Sequence, residues 1–354
     1  MSVMKIASNI RNYEVNFPET PNFLKGFEKI TPRCYVVDHN VWRLYQDNTL
    51  KGISRDQVIV QPISEEGKSL ESVQTLYDRL TGLAAKRNMT LICIGGGILQ
   101  DIAGFVASTL YRGINWIFIP TTFLAQADSC IGSKTSLNYR GFKNLIGTFY
   151  PPSGVYIHTP FLLTQEEADF FSGVGEVVKL HILGGEKKAR EIVELLPGIL
   201  RRDADALRTG VLNSLGIKQG YISEDEFDTG RRNLLNFGHC FGHALEAHSN
   251  FAIPHGQAIV IGMLLANRVA VRRRVLSPRT EKSLAEKLLV PSLTVRPRSS
   301  DLDPGGILEG MKRDKKRTGE GLALILMAEG YEMSRVNDLN EAEVRAVLQE
   351  ADWF

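Results

Sequence analysis

Cysteine is scarce in this chain: four in 354 residues, at Cys34, Cys93, Cys130 and Cys240, with no CxxC pair among them. Spaced in that way inside apolar or glycine-rich runs, they read as buried reduced thiols and imply a reducing, cytoplasmic setting. Long hydrophobic runs are missing as well. The longest, Ala258 to Ala266, is broken by Gly262 and falls short of the roughly 20 residues that a spanning helix needs. The N-terminal MSVMKIASNIRNYEVNF holds no continuous apolar core of signal-peptide length, so neither export nor membrane insertion is expected. Charge of one sign is also lacking. The 42 Lys and Arg against 40 Asp and Glu leave a formal net charge of +2, and no basic cluster alternates with aromatics, so a nucleic-acid partner is not expected. There is no internal repeat and no low-complexity segment.

What is present is an ordered enzyme-like chain with 43% hydrophobic and 23% charged residues. It is longer than the roughly 250–300 residues at which single cores stop growing, which makes two domains the default. The runs CYVVD (34–38), QVIVQP (57–62), TLICIGGG (90–97) and NWIFIP (115–120) are apolar without alternation, as strands buried on both faces of a parallel sheet are. Between the second and third runs, Leu70, Val73, Leu76, Tyr77 and Leu80 recur at helical spacing, and strand–helix–strand repetition predicts a doubly wound sheet. Beyond about residue 150 helical patterns dominate, starting near Thr164, where TQEE offers a Thr164/Glu167 capping box. The expected organisation is α/β plus α: a Rossmann-like doubly wound domain over 1–155, then a mainly α-helical domain over 156–354. The latter ends in a small β pair, GLALILM with EMSRV, and a terminal helix capped by Asn340.

Several segments carry chemistry. GGGILQDIAG follows a strand and opens a helix, so Gly95, Gly96 and Gly97 would let backbone amides approach a pyrophosphate at a helix N-terminus. A tight structural turn is the equal alternative. Asp38 and Asn40 after the first strand, and Glu65 and Lys68 in SEEGKSLE, could hold a ribose; taken singly, such residues are ordinarily solvated loop groups. Thr121, Thr122 and Asp128 stand at the carboxyl end of the fourth run, the edge where open α/β sheets bind ligands. IGSKTSLNYRGFKNLIG reads as a glycine-broken basic loop whose Lys134, Asn138, Lys143 and Asn144 suit a phosphate, or are simply solvated. Glu176 and Lys179 in GVGEVVK, His239 and His243 in LNFGHCFGHALE, and His255 in PHGQA offer donors from three segments to one divalent cation. His239 and His243 share a helical face, with Glu246 on nearly the same stripe. His181 and His248 have no such context and read as surface residues. Lys218, Arg232 and Asn236 form a polar stripe able to grip an anion, or an ordinary charged surface.

Together, GGGILQDIAGFVASTLYRG, PTTFLAQADSCIGSKTSLN, KNLIGTFYPP, GVGEVVK, LNFGHCFGHALE, HGQAIVIGM and a late DKK resemble, in order, the motifs of the 3-dehydroquinate synthases among the sugar-phosphate cyclases. The resemblance runs from about Asp38 to Lys316. It implies a Rossmann-like domain and a helical domain with the active site in their cleft, bound NAD, a divalent metal that is usually zinc though cobalt would also suit the donors, and a homodimer.

Carried over by position, it places the metal on Glu176, His239 and His255, and NAD on Asp38, Asn40, Glu65, Lys68, Gly96, Gly97, Asp101, Thr121, Thr122, Asp128, Lys143 and Thr164. Substrate and proton transfer fall to Lys134, Asn144, Lys179, Lys218, Arg232, Asn236, His243 and one of Lys315 and Lys316, with Arg112 contributed by a partner subunit. The implied substrate is a phosphorylated sugar. The chain departs from the family pattern at Gln100 and Ser133, where glycines are usual, and at Gln257, where glutamate is usual. Other cyclases of the family (aminodehydroquinate, 2-epi-5-epi-valiolone or 2-deoxy-scyllo-inosose type) and a metal-dependent polyol dehydrogenase are the alternatives. The intact ligand set argues against a catalytically silent NAD-binding protein.

Overall fold

The structure, a computed structural model, describes residues 2–83, 86–312 and 321–351. Its contacts divide the chain into two compact units, Met1–Thr164 and Gln165–Phe354. The change of unit thus comes later than the expected boundary at residue 155.

In the first unit, β1 (Ser2–Ile6) and β2 (Tyr13–Phe17) precede β3 (Arg33–Asp38), α1 (His39–Tyr45), β4 (Val58–Gln61), α2 (Leu70–Gly82), β5 (Thr90–Gly95), α3 (Gly97–Thr109) and β6 (Asn115–Pro120). The hairpin β7 (Lys134–Tyr139) and β8 (Phe142–Phe149) follows, and then β9 (Gly154–Tyr156). Seven strands form one sheet in the order β1-β2-β9-β6-β5-β3-β4, with every pair parallel except β1 with β2. The four apolar runs are the central strands β3 to β6, and all six residues of β5 are buried. From β3 the chain steps to β4 on one side; from β5 it steps to β6 on the other. The switch point, where ligand crevices open in such sheets, therefore lies between the carboxyl ends of β3 and β5.

Two local expectations fail here, at the basic loop and at Thr164, and the N-terminal segment forms strands for which the sequence reading sets no expectation. The basic loop is a two-stranded antiparallel hairpin, β7–β8, because Thr135, Leu137 and Ile146 alternate with polar residues and pair across it. The N-terminal segment supplies the antiparallel β1–β2 pair. Thr164 caps no helix: its hydroxyl bonds the Tyr45 hydroxyl, and the next helix begins only at Glu167, after Glu166.

The second unit comprises α4 (Glu167–Leu183), α5 (Glu186–Leu200), α6 (Ala204–Glu224), α7 (His239–His248), α8 (His255–Arg272), α9 (Pro278–Leu284) and α10 (Pro304–Lys312), then β10 (Leu322–Met327), β11 (Met333–Leu339) and α11 (Glu341–Gln349). The antiparallel β10–β11 pair and the Asn340 capping box on α11 agree with the sequence reading. Helix α8 is buried continuously from Gly256 to Asn267, as an all-round apolar helix must be. No helix among the described residues is long and apolar enough to cross a membrane. Cys34, Cys93 and Cys130 are buried and Cys240 is partly exposed, all four as free thiols; burial pushes the Cys34 thiol up to about 12.

Candidate active site

In the first unit, four consecutive parallel strands deliver the expected cofactor residues to one edge. Asp38 ends β3, Glu65 and Lys68 follow β4, Gly96 and Gly97 follow β5, and Thr121 and Thr122 follow β6. Asp38 has a structural duty there: its carboxylate caps α1 by accepting the amides of Asn40 at 2.7 Å and Val41 at 3.4 Å. Burial raises its pKa, and those amides pull it partly back. The glycines are packed tightly. A Cβ on Gly95 would come within 2.8 Å of Leu99, and one on Gly96 within 2.9 Å of Thr122, so the turn into α3 keeps its backbone bare at the helix N-terminus.

Lys68 is buried and gathers groups that the sequence treated separately. Its Nζ lies 3.1 Å from Asp101 Oδ2 and 2.6 Å from Asn144 Oδ1. Ser136 donates its amide and hydroxyl to Asp101 at 2.9 and 2.8 Å, and Asn138 donates to Glu65 Oε1 at 3.0 Å. Burial raises the Asp101 carboxyl, while Lys68 and Ser136 oppose the rise. Asn144 holds this place with φ at +52°, a left-handed conformation that Asn tolerates better than most residues. Lys134 and Lys143 are exposed at the starts of β7 and β8, and Asp128 lies in a single π-helical turn, Ala125–Ser129. Arg112 is exposed at a corner where Tyr111, Arg112 and Gly113 all have positive φ.

Two departures from the family pattern have visible fillings. Gln100 donates to the Ser129 carbonyl at 2.7 Å and accepts from its hydroxyl at 2.6 Å, tying α3 to the turn that carries Asp128. Ser133 keeps a glycine-like φ of +66°.

In the second unit the donors converge. Glu176 and Lys179 sit one turn apart on α4, 2% and 3% exposed, with Lys179 Nζ 2.5 Å from Glu176 Oε2. His239 and His255 are the first residues of α7 and α8. Glycines bring these helices together. A Cβ on Gly256 would stand 1.8 Å from the Ser172 carbonyl oxygen, one on Gly175 2.2 Å from the Gly256 oxygen, and one on Gly262 2.0 Å from the Gly238 oxygen. Backbone-to-backbone contact therefore holds α4 against the start of α8, and α8 against α7. Gln257, fully buried, donates to the carbonyls of Phe171 and Ser292 at 3.1 and 3.0 Å and accepts the Thr294 amide at 2.7 Å. A carboxylate could not donate either of the first two bonds.

Glu176 Oε1 lies 3.4 Å from His255 Nε2 and 3.9 Å from His239 Nε2. The other ring nitrogens are engaged: His239 Nδ1 by the Phe237 carbonyl at 3.2 Å and His255 Nδ1 by Glu246 Oε2 at 3.0 Å. Both partners can only accept, so the hydrogens sit on Nδ1, and both Nε2 atoms face Glu176. Ligands about 2.1 Å from a tetrahedral zinc stand about 3.4 Å apart, so the donor set fits a divalent cation with small adjustments. His243, one turn along α7, has a ring nitrogen within 4.8 Å of those of His239 and His255. Burial, then the nearby Lys179 and the two other imidazoles, hold the His239 pKa well below its usual value. At His255 burial acts downward too, but the Glu176 and Glu246 carboxylates outweigh it and raise the pKa to about 10.

Lys218 on α6 and Arg232 in the turn Arg231–Asn236 are buried. Asp225 staples that turn, accepting the amides of Thr229, Gly230 and Arg232 at 3.0, 2.8 and 3.0 Å, and Asn236 donates to the Asn233 carbonyl at 2.9 Å. Sequence reasoning gave no role to Asp225, nor to Glu246 beyond its helical stripe. His181 corrects an expectation: it is fully buried, its Nδ1 2.7 Å from the Val177 carbonyl, because Val177, Val178, Leu180 and Ile182 beside it on α4 are buried apolar residues. His248 is partly exposed, with Nε2 2.9 Å from the Ser300 carbonyl. Lys315 and Lys316 lie outside the described residues.

Known proteins resemble the chain along nearly its whole length. A family model described as 3-dehydroquinate synthase N-terminal matches residues 58–172, and one described as 3-dehydroquinate synthase C-terminal matches residues 173–317. A 3-dehydroquinate synthase of Dehalococcoides mccartyi is 35% identical over 94% of this chain and 93% of the relative. One of Dictyoglomus turgidum is 36% identical over 90% and 89%. In fold, the chain matches a 2-deoxy-scyllo-inosose synthase complexed with carbaglucose-6-phosphate, NAD+ and Co2+ at TM-score 0.85, with 24% identity, covering 99% of this chain and 100% of the other. It matches a 2-epi-5-epi-valiolone synthase from Streptomyces hygroscopicus subsp. jinggangensis with NAD+ and Zn2+ bound at TM-score 0.83, with 24% identity, covering 99% of each. With both halves matched by that family's own descriptions and relatives above 30% identity along almost the full length, the chain belongs to the 3-dehydroquinate synthase family.

Proposed function

We propose that the chain converts 3-deoxy-D-arabino-heptulosonate 7-phosphate to 3-dehydroquinate and inorganic phosphate, as a carbon–oxygen lyase of the shikimate pathway acting as a cytoplasmic homodimer. The observation that carries the reading is the convergence of Glu176 Oε1 with the Nε2 atoms of His239 and His255 while both Nδ1 atoms are taken.

Glu176, His239 and His255 would hold the divalent cation, zinc or cobalt, which supplies Lewis acidity toward a substrate hydroxyl. NAD would lie along the carboxyl edge of β3–β6, with Asp38, Asn40, Glu65, Lys68, Gly96, Gly97, Asp101, Thr121, Thr122, Asp128, Lys143 and Thr164 in reach of it, and supplies a transient hydride acceptor.

The chain's own groups do the rest. Lys179, fixed by its ion pair with Glu176, presents a buried ammonium to an anionic substrate. Buried Lys218 and Arg232, with Asn236, Lys134, Asn144 and Lys315 or Lys316, bind the carboxylate and phosphate and stabilise the departing phosphate dianion. His243, one helix turn beyond His239 and exposed, moves the proton that elimination and ring closure require. Arg112 of a partner subunit adds a further cation to the phosphate.

Incubating the protein with NAD and zinc and, in parallel, this heptulosonate phosphate, sedoheptulose 7-phosphate and glucose 6-phosphate tests the assignment. Phosphate release from the first alone, with no net NADH, is the expected result. Release from either of the others moves the chain to another branch of the cyclases, and NADH accumulation moves it to the polyol dehydrogenases.

A further inference from the structure

We propose that Glu246 is a positioning residue for the cation site: it fixes the tautomer and ring orientation of His255, so that Nε2 rather than Nδ1 is presented to the cation. The inference rests on Glu176, His239 and His255 being the ligands. Glu246 is 4% exposed on α7, and its Oε2 stands 3.0 Å from His255 Nδ1 across the α7–α8 contact. A buried carboxylate is expensive to desolvate and persists where it meets a hydrogen-bond donor. Here that donor is the ring face opposite the nitrogen directed at Glu176. His239 has the same arrangement in weaker form, its Nδ1 facing the neutral carbonyl of Phe237 at 3.2 Å. The asymmetry has a physical basis. His239 is held by the chain turn before α7, with Gly238 in the left-handed conformation and the carbonyl two residues back. His255 follows Pro254, which has no amide hydrogen, and takes its anchor from another helix. Bonds to charged acceptors are about twice as strong as those to neutral ones, so Glu246 is the stronger of the two anchors.

Partners that orient a metal-bound histidine typically change affinity by about 10- to 100-fold when removed. Zinc affinity, measured by competition with a chromogenic chelator, should therefore fall by about that factor in Glu246→Ala. In Glu246→Gln, whose amide oxygen still accepts from Nδ1–H, it should fall by less than about tenfold. The absorption bands of the cobalt-loaded protein should shift in the alanine variant and be largely restored in the glutamine variant. Glu176→Gln serves as the control for the site itself. If it loses zinc while Glu246→Ala binds as the wild type does, the positioning role is overturned and the site stands. If neither loses zinc, the site reading falls and this inference with it. Equal losses in Glu246→Ala and Glu246→Gln also overturn it, since charge and not orientation would then be at work. Should the alanine variant fail to fold, histidine 15N spectra of the zinc-loaded wild type decide. A protonated Nδ1 with zinc on Nε2 of His255 supports the role, and the reverse arrangement sinks it.

Discussion

Single residues in this chain are informative where burial makes their chemistry costly. Glu176 and Lys179 are almost wholly buried side by side, and a buried pair broken at one partner is destabilised by about 3–5 kcal/mol. Glu176→Gln should accordingly lose both zinc and turnover, and His255→Ala should do the same, as measured by metal content after gel filtration and by phosphate release. Full activity with normal metal content in either variant would remove the ligand assignment. His181 makes a different point. Its pKa is lowered from 6.5 to about 4, mainly by burial, so between those values the unfolded chain binds a proton that the folded chain refuses. Stability contributed by the neutral ring is full above about pH 6.5 and is lost as the pH falls toward 4, by about 3 kcal/mol from this residue. Denaturant unfolding of the wild type and of His181→Leu at pH 7 and pH 4 should show the stability difference between the two proteins shrinking by that amount in favour of the variant. A difference independent of pH would place the His181 titration elsewhere. The sequence misled here because a lone histidine carries no pattern; the apolar neighbours in VVKLHIL were the available signal.

At the scale of elements, glycines decide where helices can touch. Gly256, Gly175 and Gly262 each face a carbonyl oxygen at a distance no Cβ can occupy, whereas Gly216 on α6 has nothing within 4 Å. Gly256→Ala should force the start of α8 away from α4, costing about 1–3 kcal/mol through overpacking and separating His255 from Glu176, so that melting temperature and zinc affinity fall together. Gly216→Ala should stabilise by about 0.5–1 kcal/mol through helix propensity alone, with zinc affinity unchanged. Equal effects from the two substitutions would show that the close approach does not position the ligands.

Legibility divided along the same physical line. Strands β3 to β6 were readable because burial on both faces leaves an unbroken apolar run, and α11 because its capping box has no competitor. The hairpin β7–β8 was not, since the exposed residues mix Lys134, Lys143 and Asn144 with the apolar Tyr139, Phe142 and Leu145, and its alternation is interrupted by Gly141 and Gly147. The TQEE capping pattern was present but unused, because Thr164 found a tertiary partner in Tyr45. Of the candidate site, the side chains that converge (Glu176, His239 and His255) and their helices could be read, while Glu246 and Asp225 could not, because a second carboxylate behind a histidine or a turn leaves no spacing rule in the chain.

For the molecule as a whole, the proposed site residues divide between the two compact units. The proposed metal ligands Glu176, His239 and His255 all belong to the unit Gln165–Phe354, and the proposed dinucleotide edge of β3–β6 belongs to Met1–Thr164. A ligand stabilises what it binds by mass action, about 2.7 kcal/mol at a hundredfold excess over its dissociation constant. Zinc removal should therefore be felt first in the second unit. Its cation would bridge the middle of α4 through Glu176, the start of α7 through His239 and the start of α8 through His255, and those helices would lose that common partner when it leaves. Hydrogen exchange of the zinc-loaded protein against the same protein stripped with a chelator should show protection falling in residues 172–183, 237–248 and 255–262, with the amides of β3, β5 and β6 unchanged. NAD addition should do the converse, raising protection at the turn into α3 and at the segment after β6. Loss of protection spread evenly over both units on zinc removal would mean that they unfold as one cooperative body, and the metal would then be a determinant of the whole fold and not of a local site.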